Sequence, residues 1–83
     1  MNTAHPSSGE VAQWIASYLD ANPRALDTAE GIRRWWLAPR HGEVAPELVE
    51  QALAELEQEG GVIRRTVGNQ VVFGRAPGQP TAP

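Results

Sequence analysis

Few side chains in this 83-residue sequence are suited to acid–base, nucleophilic or metal-ligating work, and their spacing decides which chemistry is open to them. There are two histidines, His5 and His41, alongside ten carboxylates and no cysteine. A zinc site takes about four ligands, three of them protein groups even where the metal is catalytic. His41 has Glu43 two residues on and nothing else at a recognised ligand spacing, while His5 stands alone near the N-terminus. No metal site is expected. A Ser-His-Asp arrangement would draw on Ser7, Ser8 and Ser17. The first two read better as helix caps, and Ser17 falls beside the apolar face of the first helix. No glycine-rich loop follows a strand and opens a helix, so a phosphate cradle is not expected either. The lack of cysteine removes disulfides and thiolate nucleophiles together. The carboxylates Glu47, Glu50, Glu55, Glu57 and Glu59 cluster as the solvated face of one helix. The sequence reads as a non-enzyme without a cofactor.

The elements that would position these residues follow from periodicity and caps. Ser7-Ser8-Gly9-Glu10 is a capping box ahead of Val11, Trp14, Ile15, Tyr18 and Leu19, which share one helical face. Asn22-Pro23 stops that helix, because the residue before proline is pushed out of the α region. Asp27 or Thr28 caps a second, short helix with Glu30 in its first turn and Ile32, Trp35 and Trp36 on one side. Pro39 is expected to end it, with Arg40-His41-Gly42 as the connection. A third helix over Ala45–Glu59 takes Pro46 in its first turn and buries Val49, Ala52, Leu53 and Leu56. Gly60-Gly61 supplies a left-handed stop. Two β-rich runs, Val62–Val67 and Gln70–Arg75, then form a hairpin. A three-residue loop, Gly68-Asn69-Gln70, would put Ile63, Val67, Val71 and Phe73 on one face, and one-sided burial favours that register over a two-residue turn.

Residues 1–7 and 76–83, the latter Ala-Pro-Gly-Gln-Pro-Thr-Ala-Pro, are polar and proline-punctuated, so they read as tails around a domain over 8–75. An apolar share of 41% suits a small globular core. No run reaches the roughly 18–20 apolar residues of a membrane span, and the N-terminus lacks the basic and apolar regions of a secretory signal. The expectation is a cytoplasmic protein with no membrane association. All seven cations are arginine, a usage typical of GC-rich bacterial genomes.

Helix, short helix, helix and glycine-tipped hairpin is an α+β order that resembles the winged helix-turn-helix superfamily. The passage Leu53-Ala54-Glu55-Leu56-Glu57-Gln58-Glu59-Gly60-Gly61-Val62-Ile63-Arg64-Arg65 is similar to that superfamily's join between third helix and first wing strand. The segment Asp27–Leu37 also resembles short bacterial proteins. The superfamily resemblance implies a third helix that enters the DNA major groove and a hairpin that touches the backbone or minor groove.

The residues on that helix argue against such a role. Groove-facing positions would come from Glu47, Glu50, Gln51, Ala54 and Glu55, and the helix carries five glutamates and no arginine. A carboxylate about 7 Å from a phosphate costs about 0.6 kcal/mol even at the dielectric of water, so two or three cost roughly 1–2 kcal/mol. They also displace cations that would release counterions. Arginines lie elsewhere: Arg33, Arg34 and Arg40 around the second helix, and Arg64, Arg65 and Arg75 in the hairpin. Three readings stay open for them: pairing with the third-helix glutamates or simple solvation, a wing-led grip on the DNA backbone, or, for Arg65 and Arg75, the flank of a protein-docking edge. Neighbouring helical residues diverge by about 100°, so Trp35 and Trp36 cannot be equally buried. A protein partner or a second copy docking on Trp35 or Trp36, Arg33, Arg34, Glu47 and Glu50 is the expectation, with nucleic acid as the alternative through Arg64, Arg65, Arg75 and Gln51.

Overall fold

Ser7 sets the start of α1 (Ser8–Ala21). Its Oγ accepts from the Glu10 N–H at 3.1 Å, and Glu10 Oε1 accepts from the Ser7 N–H at 3.1 Å. The helix ends where Pro23 demands an extended predecessor: the Asn22 N–H donates to the Tyr18 carbonyl at 2.8 Å and the chain turns away. Val11, Ala12, Ile15 and Leu19 are buried, while Trp14 and Tyr18 pack partly exposed against the core edge. The computed structural model describes residues 6–77; of the expected tails, 1–5 and 78–83 lie outside the described residues.

Leu26–Asp27 form a short strand, β1, where the sequence shows only the approach to a helix. Two residues carry no readable alternation, and the strand exists because the run Gln70–Arg75 offers it a partner. Thr28 then caps the helical stretch that starts at Ala29, its Oγ1 accepting from the Gly31 N–H at 3.0 Å, while Asp27 Oδ1 accepts from the Thr28 N–H at 2.8 Å.

The second helical stretch, α2, opens as Ala29–Gly31, widens into a π-helix over Ile32–Leu37 and closes as Ala38–His41. Pro39 therefore does not end it, and Arg40 and His41 are helical rather than connecting. Proline in a helix removes a donor and clashes with the carbonyl four residues back. Here the turn before it is already widened, with the Ala38 N–H reaching back five residues to the Arg33 carbonyl. The stop falls at Gly42, whose φ of 81° is open to glycine without strain. Trp35 also departs from the expected shared face: Ile32 and Trp36 are buried, but Trp35 points outward.

α3 (Pro46–Glu59) runs as expected, with Pro46 in its first turn, Val49, Ala52, Leu53 and Leu56 buried, and a left-handed Gly60 at its end. β2 (Val62–Val67) and β3 (Gln70–Arg75) follow, and the sheet is antiparallel in the order β1-β3-β2. Three helices with this sheet make a small winged-helix-like α+β fold. Its core gathers the inner faces of α1, α2 and α3 with Val44, Val62 and Phe73.

The hairpin register differs from the expected one. Val67 pairs with Gln70 across a two-residue Gly68-Asn69 turn. Positive φ occurs at Gly68 (61°) and not at Asn69, the pattern of a type II′ turn, whose twist matches that of the strands. Val62, Val71 and Phe73 consequently share the core-facing side, and Ile63, Val67 and Val72 the outer side. Val72 is nevertheless buried, because it lies on the central strand with Leu26 and Ile63 on the same outer face. The one-sided premise fails because β1 adds a third strand whose Leu26 helps cover that face.

Candidate functional site

Four rings meet between α1 and α2. Trp14 stacks on His41 with centroids 3.9 Å apart and planes within 5°, and Tyr18 stacks on Trp36 at 4.4 Å and 11°. On α1 the partners stand four residues apart, the ordinary step to the same helical face. On α2 they stand five apart, Trp36 and His41, on either side of the junction between the π-widened stretch and the last turn of the helix. The helices thus run their aromatic pairs past each other in antiparallel order, 14 against 41 and 18 against 36. Beside these stacks lies a concavity of about 390 Å³ that Trp35, Pro39 and Arg40 complete. Trp36 is 6% exposed and forms part of its wall, while Trp35 is 66% exposed at its rim.

The charged candidates are placed differently. Arg33 and Arg34 both turn onto Glu30: Arg33 makes a two-point contact at 2.7 and 3.2 Å, and Arg34 Nε reaches Oε2 at 2.7 Å. The Arg33 and Arg34 hydrogen bonds hold the Glu30 carboxyl below its ordinary value, and the same bond raises Arg33 further. These two arginines are drawn onto their own helix rather than presented beside Trp35.

On the α3 side, Glu47, Glu50 and Gln51 are exposed. Glu55 is not simply solvated: it accepts from Ser8 Oγ at 2.5 Å, tying α3 to the start of α1. Glu57 holds Arg64 at 3.0 and 3.1 Å, which raises the Arg64 pKa, and the Arg64 guanidinium lies 5.3 Å from the Phe73 ring centroid. Glu50 and Arg64 line a second concavity, about 360 Å³, with Leu53, Val71 and Phe73.

The hairpin arginines do not share a face. Arg64 and Arg75 oppose Phe73 and Val62 on the core-facing side, whereas Arg65 opposes Val72 on the outer side. Arg65 and Arg75 are exposed and make no ion pair among the described residues. The predicted sites therefore resolve into an aromatic groove holding Trp35 and Trp36, a pair of arginines closed onto Glu30, and hairpin cations split between two faces.

Sequence reasoning missed His41 as a groove residue, because it assigned it to a loop; the signal was its five-residue step from Trp36. Trp14 and Tyr18, expected on the apolar face of the first helix, stand half-buried against the core's edge. Among the described residues no group of three or more His, Cys, Asp or Glu converges, and no helix is long and apolar enough to cross a membrane. Comparison with protein-family models, curated proteins and solved structures found no match.

Proposed function

We propose that this chain is a non-catalytic interaction module that docks a protein partner through the groove between α1 and α2. The observation that carries this reading is Trp35, 66% exposed beside a wall of stacked rings. Removing an exposed tryptophan from water contributes on the order of 2–3 kcal/mol to an association. Tryptophan and arginine are enriched where binding energy concentrates, and Arg40 stands on the same rim. A preformed wall lowers the entropy lost on docking, since Trp36 and Tyr18 are already held by each other.

The nucleic-acid reading rests on Arg65 and Arg75, exposed on the hairpin. Arg64 is engaged by Glu57, and Glu47 and Glu50 stand exposed where a major groove would have to accept α3. A titration of duplex DNA over a salt series separates the two readings. The docking reading expects weak binding that Arg64→Ala with Arg65→Ala does not change. Tight, steeply salt-dependent binding that this double variant loses would overturn it.

A further inference from the structure

The groove has a chemical character that selects among peptide conformations. Its walls are flat rings in two near-parallel stacks, and it holds two donor-only side chains, the indole of Trp35 and the guanidinium of Arg40, while the Asn22 amide nitrogen already donates to the Tyr18 carbonyl at 3.0 Å. Its natural complement is a segment rich in carbonyl acceptors and poor in N–H groups, with flat apolar rings of its own. A polyproline II segment has that character, because it makes no internal hydrogen bonds and each proline lacks a donor. Aromatic-lined grooves are a recurring receptor for it.

The chain carries such a segment. Pro77-Gly78-Gln79-Pro80-Thr81-Ala82-Pro83 places proline at every third position, with no charged side chain between. Polyproline II has three residues per turn, so a segment of this spacing that adopted it would carry its prolines along one edge. The Ala76 N–H donates to the Gly61 carbonyl at 3.1 Å, which fixes where this segment leaves the sheet. Pro77 lies in a concavity against Ala16 and Asp20 of α1. The groove begins at Ser17 and Ala21, each the next residue around the same helix.

Crossing α1 between the two concavities takes no more than a helix diameter, about 10–12 Å. Extended at about 3.1 Å per residue, the six residues after Pro77 span about 19 Å. The reach is sufficient: at that rise Pro80 would come to the near rim and Pro83 to the groove.

We infer that the groove is the docking site of the chain's own 78–83 segment, which crosses α1 and sets Pro80 and Pro83 against Trp35 and the Tyr18–Trp36 stack. This inference rests on the reading of the groove as a peptide-docking surface and names its occupant.

The test compares the full chain with a variant ending at Pro77 and with the full-length double variant Pro80→Ala, Pro83→Ala. The readouts are acrylamide quenching of tryptophan and amide chemical shifts. The full chain is expected to be quenched less than either variant, and Trp35→Phe to abolish the difference. Shift differences are expected at Ser17, Trp35 and Arg40, unchanged on dilution. Equal quenching and unmoved groove shifts overturn the inference. Shifts confined to Ala16 and Asp20 overturn it too, since the segment then stops short. Differences that vanish on dilution overturn it in favour of a second copy as the occupant. Both variants keep every packed residue described above, and thermal unfolding verifies that they fold. A failure here removes the tail as occupant but leaves the docking reading standing, because that reading falls only with the DNA titration.

Discussion

Two sides of this small fold carry its exposed functional-looking residues, and they behave oppositely. The side built by α1 and α2 presents rings: Trp14, Tyr18, Trp36 and His41 in two stacks, with Trp35 open to water. The side built by α3 and the hairpin presents charges, many of which answer one another. Glu57 holds Arg64, Glu55 accepts from Ser8, and at the far edge of α2 Glu30 takes both Arg33 and Arg34. A charge at the surface is well solvated and says little about binding, because exposed ion pairs are worth about 0–1 kcal/mol. An exposed tryptophan leaves a large apolar area in water, so its position is the more informative. The comparison teaches that residue counts misjudge this molecule: seven arginines against ten acids look decisive in composition, yet three of the arginines are engaged within the fold.

The widest test of the comparison lies within the aromatic side, between adjacent residues. Trp36→Ala should destabilise the fold by about 3–5 kcal/mol, because it empties a buried position and unstacks Tyr18. Trp35→Ala should stay within about 0.5 kcal/mol, as surface substitutions do. Urea unfolding of the two variants measures both. Similar losses would mean that Trp35 is a structural residue and that the groove has no ligand-facing anchor.

A smaller effect sharpens how the aromatic side is phased. Gly31 lies in α2 with a helical φ of −63°, so alanine there would ordinarily stabilise the helix by about 1 kcal/mol. A Cβ at Gly31 would instead fall on the Asp27 carboxylate, the group that accepts from the Thr28 N–H. Gly31→Ala should therefore destabilise, by about 1–3 kcal/mol. Thermal melting decides the sign, and a stabilised variant would show that the β1–α2 junction yields freely.

The smallest effect belongs to the charged contacts. Arg33 and Arg34 hold the Glu30 carboxyl below its ordinary value, so its folded pKa lies below its unfolded one. A depressed carboxyl contributes stability that is present above the unfolded pKa, near 4.3, and is lost as pH falls through the folded value. Glu30→Gln should thus leave unfolding at pH 2 unaltered and weaken it slightly at pH 7, flattening the acid side of the pH–stability curve. An equal loss at both pH values would assign Glu30 a role other than its charge.

Much of this architecture is legible in local patterns. The Ser7–Glu10 capping box, the Asn22-Pro23 stop, the Val49–Leu56 stripe and the Gly60 terminus each follow from contacts within about four residues. The features that escape such reading depend on remote partners. β1 is two residues that become a strand only beside β3, and its Leu26 in turn helps cover the outer face of the hairpin, which removes the need for one-sided burial. The π-widened turn that carries α2 past Pro39 is likewise invisible to a rule written for straight helices. The candidate site was half legible: Trp35 and Trp36 stand out by adjacency, whereas His41 joins them only because the helix continues to Gly42.

By itself the sequence determined the element order, the helix caps and the inward stripes, because these arise from short-range hydrogen bonds and the periodicity of apolar residues. It also determined that one of two neighbouring tryptophans must face outward, since a helix turns about 100° per residue. Only the tertiary structure decided which one, which arginines were engaged, and that four rings from two helices stack into one wall. Those outcomes depend on how α1 and α2 are set against each other, and that placement is fixed by burial summed over the whole core rather than by any local run of residues.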